Sequence, residues 1–518
     1  MILEPLFSFL PSVRKPAEKQ TLKKKLTWTG IMLLLYFAMS HVTVYGVSET
    51  ALQRFAFLEL ILGSRFGSLM TLGIGPIVTA SIILQLMVGS KIINWDLSKR
   101  EQKLKFESTQ KLLAIVITVV EAFAYVSFGA VPAREGASMF LMMFLILQLS
   151  LGGWLVILMD EIVTKWGFGS GISLFIAAGV SSQILINMIN PLAPCIDDPL
   201  KLCIPDETSK PAGLLPNALL SLLSGNSADA FSNLIPIFAT LIVFLIVIYA
   251  QAIRVEIPLA FGYFRGFGRS WPLKFIYTSN IPVILTAALI ANIQVMGSLL
   301  ASKGFPILGT FDANNSPTGG LAFLLSVPRE LPIQTIMLTV GVFMVLGALL
   351  SVYYVRKYLL EIALLSGLLG VVVWYFGFQA LGFSAATALT GQSLFRLFTY
   401  TMFLTGGSVL FSVFWVSTAG MSAENVAKQI QSIGMQIPGF RRDPRIIESV
   451  LDKYIPNLAV LGGVFIGILA SFADAVNALG TGTGILLTVM IIYSMYEQLG
   501  AQQMEDMHPA IRKMFGKE

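Results

Sequence analysis

The sequence predicts an all-α fold, a polytopic membrane helical bundle, on three observations. Of its 518 residues, 55% are hydrophobic and only 12% charged, with a mean hydropathy of +0.77, which excludes a soluble multidomain protein. Apolar runs of about 19 residues or more, the length that crosses a hydrocarbon core, recur along the chain. Lysine and arginine fall in alternate connections between those runs, as the positive-inside rule requires.

The runs lie at 29–47, 72–90, 110–130, 139–159, 171–189, 234–253, 275–297, 333–355, 358–379, 397–418, 454–473 and 479–499. Lys23, Lys24 and Lys25 ahead of the first give it the look of a signal peptide, but the spans behind it favour a retained helix. With the N-terminus inside, segments 1–28, 91–109, 160–170, 254–274, 356–357, 419–453 and the tail after 500 hold 27 of the 35 basic residues, flanking residues being counted on the nearer side. The opposite orientation would violate the rule, so both termini are expected on the cytoplasmic face. The net charge of +6 therefore reports orientation more than affinity for nucleic acid. Cys195 and Cys203, the only cysteines, fall in the 190–233 loop on the outer side, where a disulfide persists. A bridge and two free thiols both remain open at this stage.

Taken in order, residues 1–28 read as a basic amphipathic segment on the cytoplasmic face or as a basic tail that only fixes topology. The stretch from Ala51 to Ser64 is half-hydrophobic and too short to span, which suits a re-entrant plug. In the run from Arg65 to Gly89, Gly73, Gly75 and Pro76 interrupt the helix near its start. Irregular backbone at membrane depth is tolerated where protein or a water-filled cavity satisfies it, so this run is expected to line a cavity. The third span carries Glu121, a carboxylate that must face the bundle interior or water. Thr79 on the second span and Asn292 on the seventh are candidate partners, each polar within apolar sequence.

The fifth span opens with "GFGSGISLFIAAGV", whose small residues let backbones approach. Ile172 and Ile176 share a face of it, which alone signifies no more than core packing. The 190–233 loop, with five acids and two bases, divides the chain. Five spans precede it, and the next half opens in the opposite orientation, the pattern of inverted repeats. Two cytoplasmic loops exceed ordinary connectors. Segment 254–274 mixes Arg254, Arg265, Arg269 and Lys274 with aromatic residues, and segment 419–453 clusters Arg441, Arg442 and Arg445 at a turn. Basic loops with aromatic anchors suit a large polyanion such as RNA. Residues 333–379 form an extra hairpin that enters and returns, leaving downstream orientation unchanged.

Catalytic chemistry lacks its parts. His41 and His508 are the only histidines, which leaves a zinc site or a Ser/His/Asp triad incomplete. "GTGTG" at 480–484 lacks the Lys-Ser/Thr of a phosphate loop. Intramembrane charge is nearly confined to Glu121, unlike the chain of ionisable groups in ion-coupled transporters. No enzyme activity, cofactor or metal is expected.

The motifs "TLGIGPIVTASII" at 71–83, "GFGSGISLFIAAGVSSQ" at 167–183, "RVEIPLAFG" at 254–262, "PLKFIYTSNIPVILTAALIANIQ" at 272–294, "GTGTGILLTV" at 480–489 and "MYEQL" at 495–499 resemble the SecY family of archaeal type, the channel-forming subunits of protein translocases. The resemblance covers nearly the whole chain in family order. It implies a protein-conducting channel in the plasma membrane that passes unfolded polypeptides and releases hydrophobic segments sideways into lipid. Two inverted five-helix halves, 29–189 and 234–518, would surround a central pore and hinge at the 190–233 loop. An aliphatic ring would close its waist, with Ile74, Val78, Ile172, Ile176, Ile284 and Leu487 matching the family's positions.

The same resemblance places the plug near 51–64. It puts Thr79, Glu121 and Asn292 at a lateral gate between the family's second and third helices on one side and its seventh and eighth on the other. Arg254, Arg269, Arg441 and Arg442 then lie in ribosome-docking loops. The implied partners are SecE-type and small beta-type single-span subunits, the ribosome with its RNA, the unfolded polypeptide substrate and the lipid bilayer. The 333–379 pair departs from the usual ten spans. A secondary transporter and an insertase without a through-pore are the rival readings.

Overall fold

The computed structural model describes residues 12–18, 20–48, 67–90, 92–95, 99–127, 131–194 apart from 132, 135 and 137, 202–203, 210–261, 268–278, 281–328 apart from 303 and 313–315, 359–380, 391–432, 435–436 and 444–506, with isolated positions between 336 and 347. Every predicted span except 333–355 coincides with a described helix. The first five are α1 (Leu22–His41), α2 (Gly75–Gly89), α3 (Arg100–Ser127), α4 (Met139–Trp166) and α5 (Gly171–Ile189). After a short β1 (Ala193–Pro194) and β2 (Leu202–Cys203) pair come α6 (Leu214–Leu223) and α7 (Ser227–Ala252). Strands β3 (Arg254–Phe261) and β4 (Gly268–Lys274) lead to α8 (Ile281–Ser302), then to β5 (Thr310–Phe311), β6 (Pro317–Gly319) and α9 (Gly320–Leu324). The remainder is α10 (Leu359–Ala380), α11 (Gly391–Thr418), α12 (Ala423–Ser432), β7 (Met435–Gln436), α13 (Pro444–Ala475) and α14 (Gly482–Asp506). Among the described residues, seven helices are long and apolar enough to cross a membrane.

Several helices outrun their apolar runs. α3 begins at Arg100 and α13 at Pro444, both in basic sequence ahead of the apolar run. Hydropathy marks the part of a helix that sits in lipid, whereas the backbone hydrogen-bond ladder continues wherever propensity and packing allow; proline at the first helical position of α13 withholds only an N–H that has no partner there. α1 likewise starts at Leu22, so Lys23, Lys24 and Lys25 occupy its opening turns rather than a separate interfacial segment. Upstream, the carbonyls of Val13 and Arg14 accept hydrogen bonds from Lys165 Nζ (2.6 Å) and Trp166 Nε1 (2.8 Å), which fastens this arm to the end of α4.

The break foreseen in the 65–89 run is a late helix start. Residues 67–74 form consecutive turns in which Gly73 N–H donates to Met70 O (2.8 Å) and Gly75 N–H to Leu72 O (3.0 Å). These buried backbone groups are satisfied locally, as a low-dielectric environment demands. Pro76 then sits in the first turn of α2, where a missing N–H costs no hydrogen bond.

The two long basic loops are one structure. β3 and β4 pair antiparallel with Arg254 opposite Lys274 and Leu259 opposite Arg269, and β7 from the second loop adds to β3 through Ala260 and Gln436. Tyr277 Oη donates to Met421 O at 2.8 Å, a second tie between them. The extra hairpin packs tightly where it is described: Gly370 abuts Val340 and Phe343, and Gly347 abuts Ser366.

Of four apolar clusters among the described residues, the two largest divide the bundle. One gathers α1, α2, α4 and α5 with Leu285, Phe411, Leu487 and Ile491 from the later half. The other joins α7, α8, α11, α13 and α14. The second half therefore closes on itself and also contributes side chains to the core of the first.

Candidate functional site

Where the halves meet, a cavity of about 50 Å³ is lined by Ile74 and Val78 at the start of α2, Ile176 and Val180 of α5, Ile284 of α8 and Leu487 of α14. Ile74, Val78, Ile176 and Leu487 are buried, and Ile284 is half-buried. All belong to, or pack against, a single apolar core, as does Ile172, which lies one helical turn before Ile176 and outside the cavity lining. Five of the six predicted ring residues thus converge on one small space. Such a space holds at most a water or two; its wall is mostly apolar, with Thr481 and Thr483 at the start of α14 as its polar members.

One residue along α2 from Val78, the chemistry changes. Thr79 Oγ1 lies 3.2 Å from Glu121 Oε1 and 2.9 Å from the Gly75 carbonyl, with a single hydroxyl proton to share between them. Asn292 Nδ2 donates to the same Thr79 oxygen at 3.0 Å. Helices α2, α3 and α8 are tied at one point by these three side chains. α11 also packs on α2, and the backbone of Gly89 approaches the Phe414 ring there. The seam between α2 and α3 on one side and α8 and α11 on the other is closed.

The other expected site residues are dispersed. Arg254 Nη2 pairs with Glu497 Oε1 of α14 at 2.9 Å, and Lys274 pairs with the second oxygen of the same carboxylate. Arg269 is on β4 opposite Leu259. Arg441 and Arg442, the plug stretch 51–64 and Cys195 lie outside the described residues; Cys203 is on β2 opposite Ala193. Among the described residues no group of His, Cys, Asp or Glu is arranged to hold a metal ion.

Three charged residues were missed because each lies one residue beyond a predicted span. Asp160 Oδ1, on α4, accepts from the Ile172 N–H at 2.9 Å. Asp474, on α13, accepts from the Gly482 N–H at 2.6 Å and from Tyr400 Oη at 2.8 Å. Arg396, on α11, donates to the carbonyls of Phe323 (3.1 Å) and Ser326 (2.9 Å) and lies 4.2 Å from the centre of the Phe323 ring. These groups sit at the ends of the apolar runs, where the helices continue beyond them, and each is matched by backbone dipoles or hydroxyls.

A bundle of long apolar helices, with a small and mostly apolar cavity beside a polar contact of three helices, is the architecture of a polytopic membrane protein. The SecY family model matches residues 68–496. The chain is 41% identical over 517 residues to the protein translocase subunit SecY of Methanothermobacter thermautotrophicus, covering 99% of this chain and 98% of that one. It is similar to a solved structure described as a protein conducting channel, with TM-score 0.75, 38% identity and coverage of 98% and 99% of the two chains. Sec61 in the canine ribosome-channel complex gives TM-score 0.73 at 38% identity, again over 98% and 99%. The chain belongs to the SecY family. It is a multi-pass plasma-membrane channel subunit of the protein translocase, and not an enzyme.

Proposed function

We propose that Ile74, Val78, Ile176, Ile284 and Leu487, with Ile172 beside them, are the seal of this channel, and that Thr79, Glu121 and Asn292 latch its lateral gate. The observation that carries this reading is the convergence of side chains from α2, α5, α8 and α14 on one small, mostly apolar cavity. Aliphatic walls exclude hydrated ions by dewetting and yield to an extended polypeptide of any sequence, since they make no directional bonds. A sufficiently apolar segment leaves through the seam instead, gaining about 25 cal/mol per Å² of apolar surface transferred to lipid. The three-residue latch sets how much of that gain is needed before α2 and α8 part.

Both termini lie on the cytoplasmic side in this reading, the 190–233 loop is the outer hinge, and 51–64 plugs the outer funnel. Arg269, Arg441 and Arg442 face a docked ribosome, as suits a relative solved within a ribosome-channel complex. Arg254 plays a second part there, since Glu497 holds it against α14. SecE-type and small beta-type subunits complete the assembly. The reading is tested by resting ion conductance of the reconstituted channel carrying glycine at Ile74, Val78, Ile176 and Leu487. A leak supports the seal; a tight membrane removes it.

A further inference from the structure

The helices that supply Ile176 and Leu487 are each entered through a Gly-X-Gly step. Gly169-Ser170-Gly171 leads into α5, and Gly480-Thr481-Gly482 leads into α14. Gly169 and Gly480 both adopt the left-handed backbone, at φ +78° and +77°, after which the paths differ, Ser170 being extended at φ -95° and Thr481 left-handed at +66°. The next glycine in each case presses against the preceding helix: a Cβ on Gly171 would stand 2.6 Å from Asp160 Cα, and one on Gly482 would stand 2.4 Å from the backbone nitrogen of Asp474. From those contact points an aspartate near the end of the preceding helix reaches the first turn of the ring helix. Asp160 accepts from Ile172 N–H, and Asp474 from Gly482 N–H. Ser170, the residue that precedes α5, makes no capping bond with its own side chain. Five residues beyond Gly171 is Ile176 and five beyond Gly482 is Leu487, both on the cavity wall.

We propose that Asp160 and Asp474 are matched positioning residues, one in each half, that fix the height and rotation of the two helices bearing Ile176 and Leu487 and so hold the waist shut. The inference rests on the seal reading given above. A carboxylate at a helix N-terminus satisfies otherwise unpartnered N–H groups and complements the helix dipole, so each cap is stiff and its geometry specific. Five residues is about one and a half turns, and a helix that rotates or slips at its cap carries the ring side chain with it. The second pair has an added arm. Asp474 Oδ2 also accepts from Tyr400 Oη of α11, which connects a wall of the gate to the start of α14.

The test uses the full chain, assembled with its partner subunits and reconstituted in planar bilayers, and reads resting ion conductance beside the melting temperature in detergent. Asp160→Ala and Asp474→Ala are each expected to raise resting leak roughly tenfold, the factor that loss of one charge-assisted buried hydrogen bond brings, and the double variant to leak more than either. Asp160→Asn and Asp474→Asn keep an acceptor oxygen in place and are expected to stay within about twofold of the parent. Asp→Glu at each position keeps the charge but displaces the oxygen by one methylene; it is expected to leak, and it decides the matter with the Asn form if the Ala forms do not assemble. Equal conductance in the Ala, Glu and Asn forms, whether all tight or all leaking, overturns the positioning role. The glycine variants of the ring serve as the reference: tight aspartate variants beside leaking ring variants refute this inference alone, while tight ring variants refute the seal on which it rests.

Discussion

Val78 and Thr79 are neighbours on α2, and the two regions they face could hardly differ more. Val78 faces a mostly apolar cavity walled by Ile74, Ile176, Ile284 and Leu487, with Thr481 and Thr483 beside them. Thr79 sits in a hydrogen-bonded knot with Glu121 and Asn292. Contacts of the first kind are non-directional and individually weak, so they part gradually and reclose on any shape. Contacts of the second kind have fixed distances and angles, and a broken one leaves a buried polar group unsatisfied. A barrier that must admit every sequence is built from the first; a switch that must respond at a threshold is built from the second.

The largest expected effect strikes the waist. Glycine at Ile74, Val78, Ile176 and Leu487 together should raise resting conductance by roughly a hundredfold, corresponding to about 2.7 kcal/mol of lost dewetting barrier, while the hydrophobicity needed for lateral insertion changes little. Single-channel recording and a graded series of test segments check the two halves of that statement. Next comes the latch. Asn292→Leu removes the donor to Thr79 and should loosen the contact of α2 with α8 by about 1 kcal/mol, moving the insertion midpoint toward less hydrophobic segments without opening the waist to ions. Glu121→Leu should act in the same direction. If either variant leaked as the glycine variants do, or left the midpoint unmoved, the division of labour between Val78 and Thr79 would be wrong.

A third substitution touches neither region and bounds the background. Glu497→Gln weakens the pairs to Arg254 and Lys274, both more than a third exposed. Solvent screening limits such pairs to under about 1 kcal/mol, so the melting temperature should fall by about 1 °C or less, and the difference should vanish in high salt. A loss of several degrees would make the three-stranded sheet a larger contributor to stability than its exposure suggests.

The same contrast explains what could be read from the chain. Thr79, Glu121 and Asn292 stand out because a polar residue in an apolar run must find a partner, and the structure brings all three together. Ile172 and Ile176 carry no such mark; an aliphatic side chain facing a pore and one facing a core are chemically the same, so family resemblance alone singled them out. The helix count was legible because lipid imposes a length on each apolar run. The ends of α3 and α13 were not, since a helix does not stop where lipid does, and Asp160, Asp474 and Arg396 escaped notice for that reason. The union of the two basic loops through β7 and β3 was also hidden, because strand pairing between distant segments leaves no local signature.

The most direct test of the central claim places a photo-crosslinking residue at Val78, at Ile176, at Leu487 or at the exposed Val116 of α3 in the assembled complex, with a secretory chain stalled midway. The account predicts crosslinks to the polar, translocating part of that chain at the first three positions and none at Val116. Crosslinks absent from all three, or no stronger there than at Val116, would contradict it.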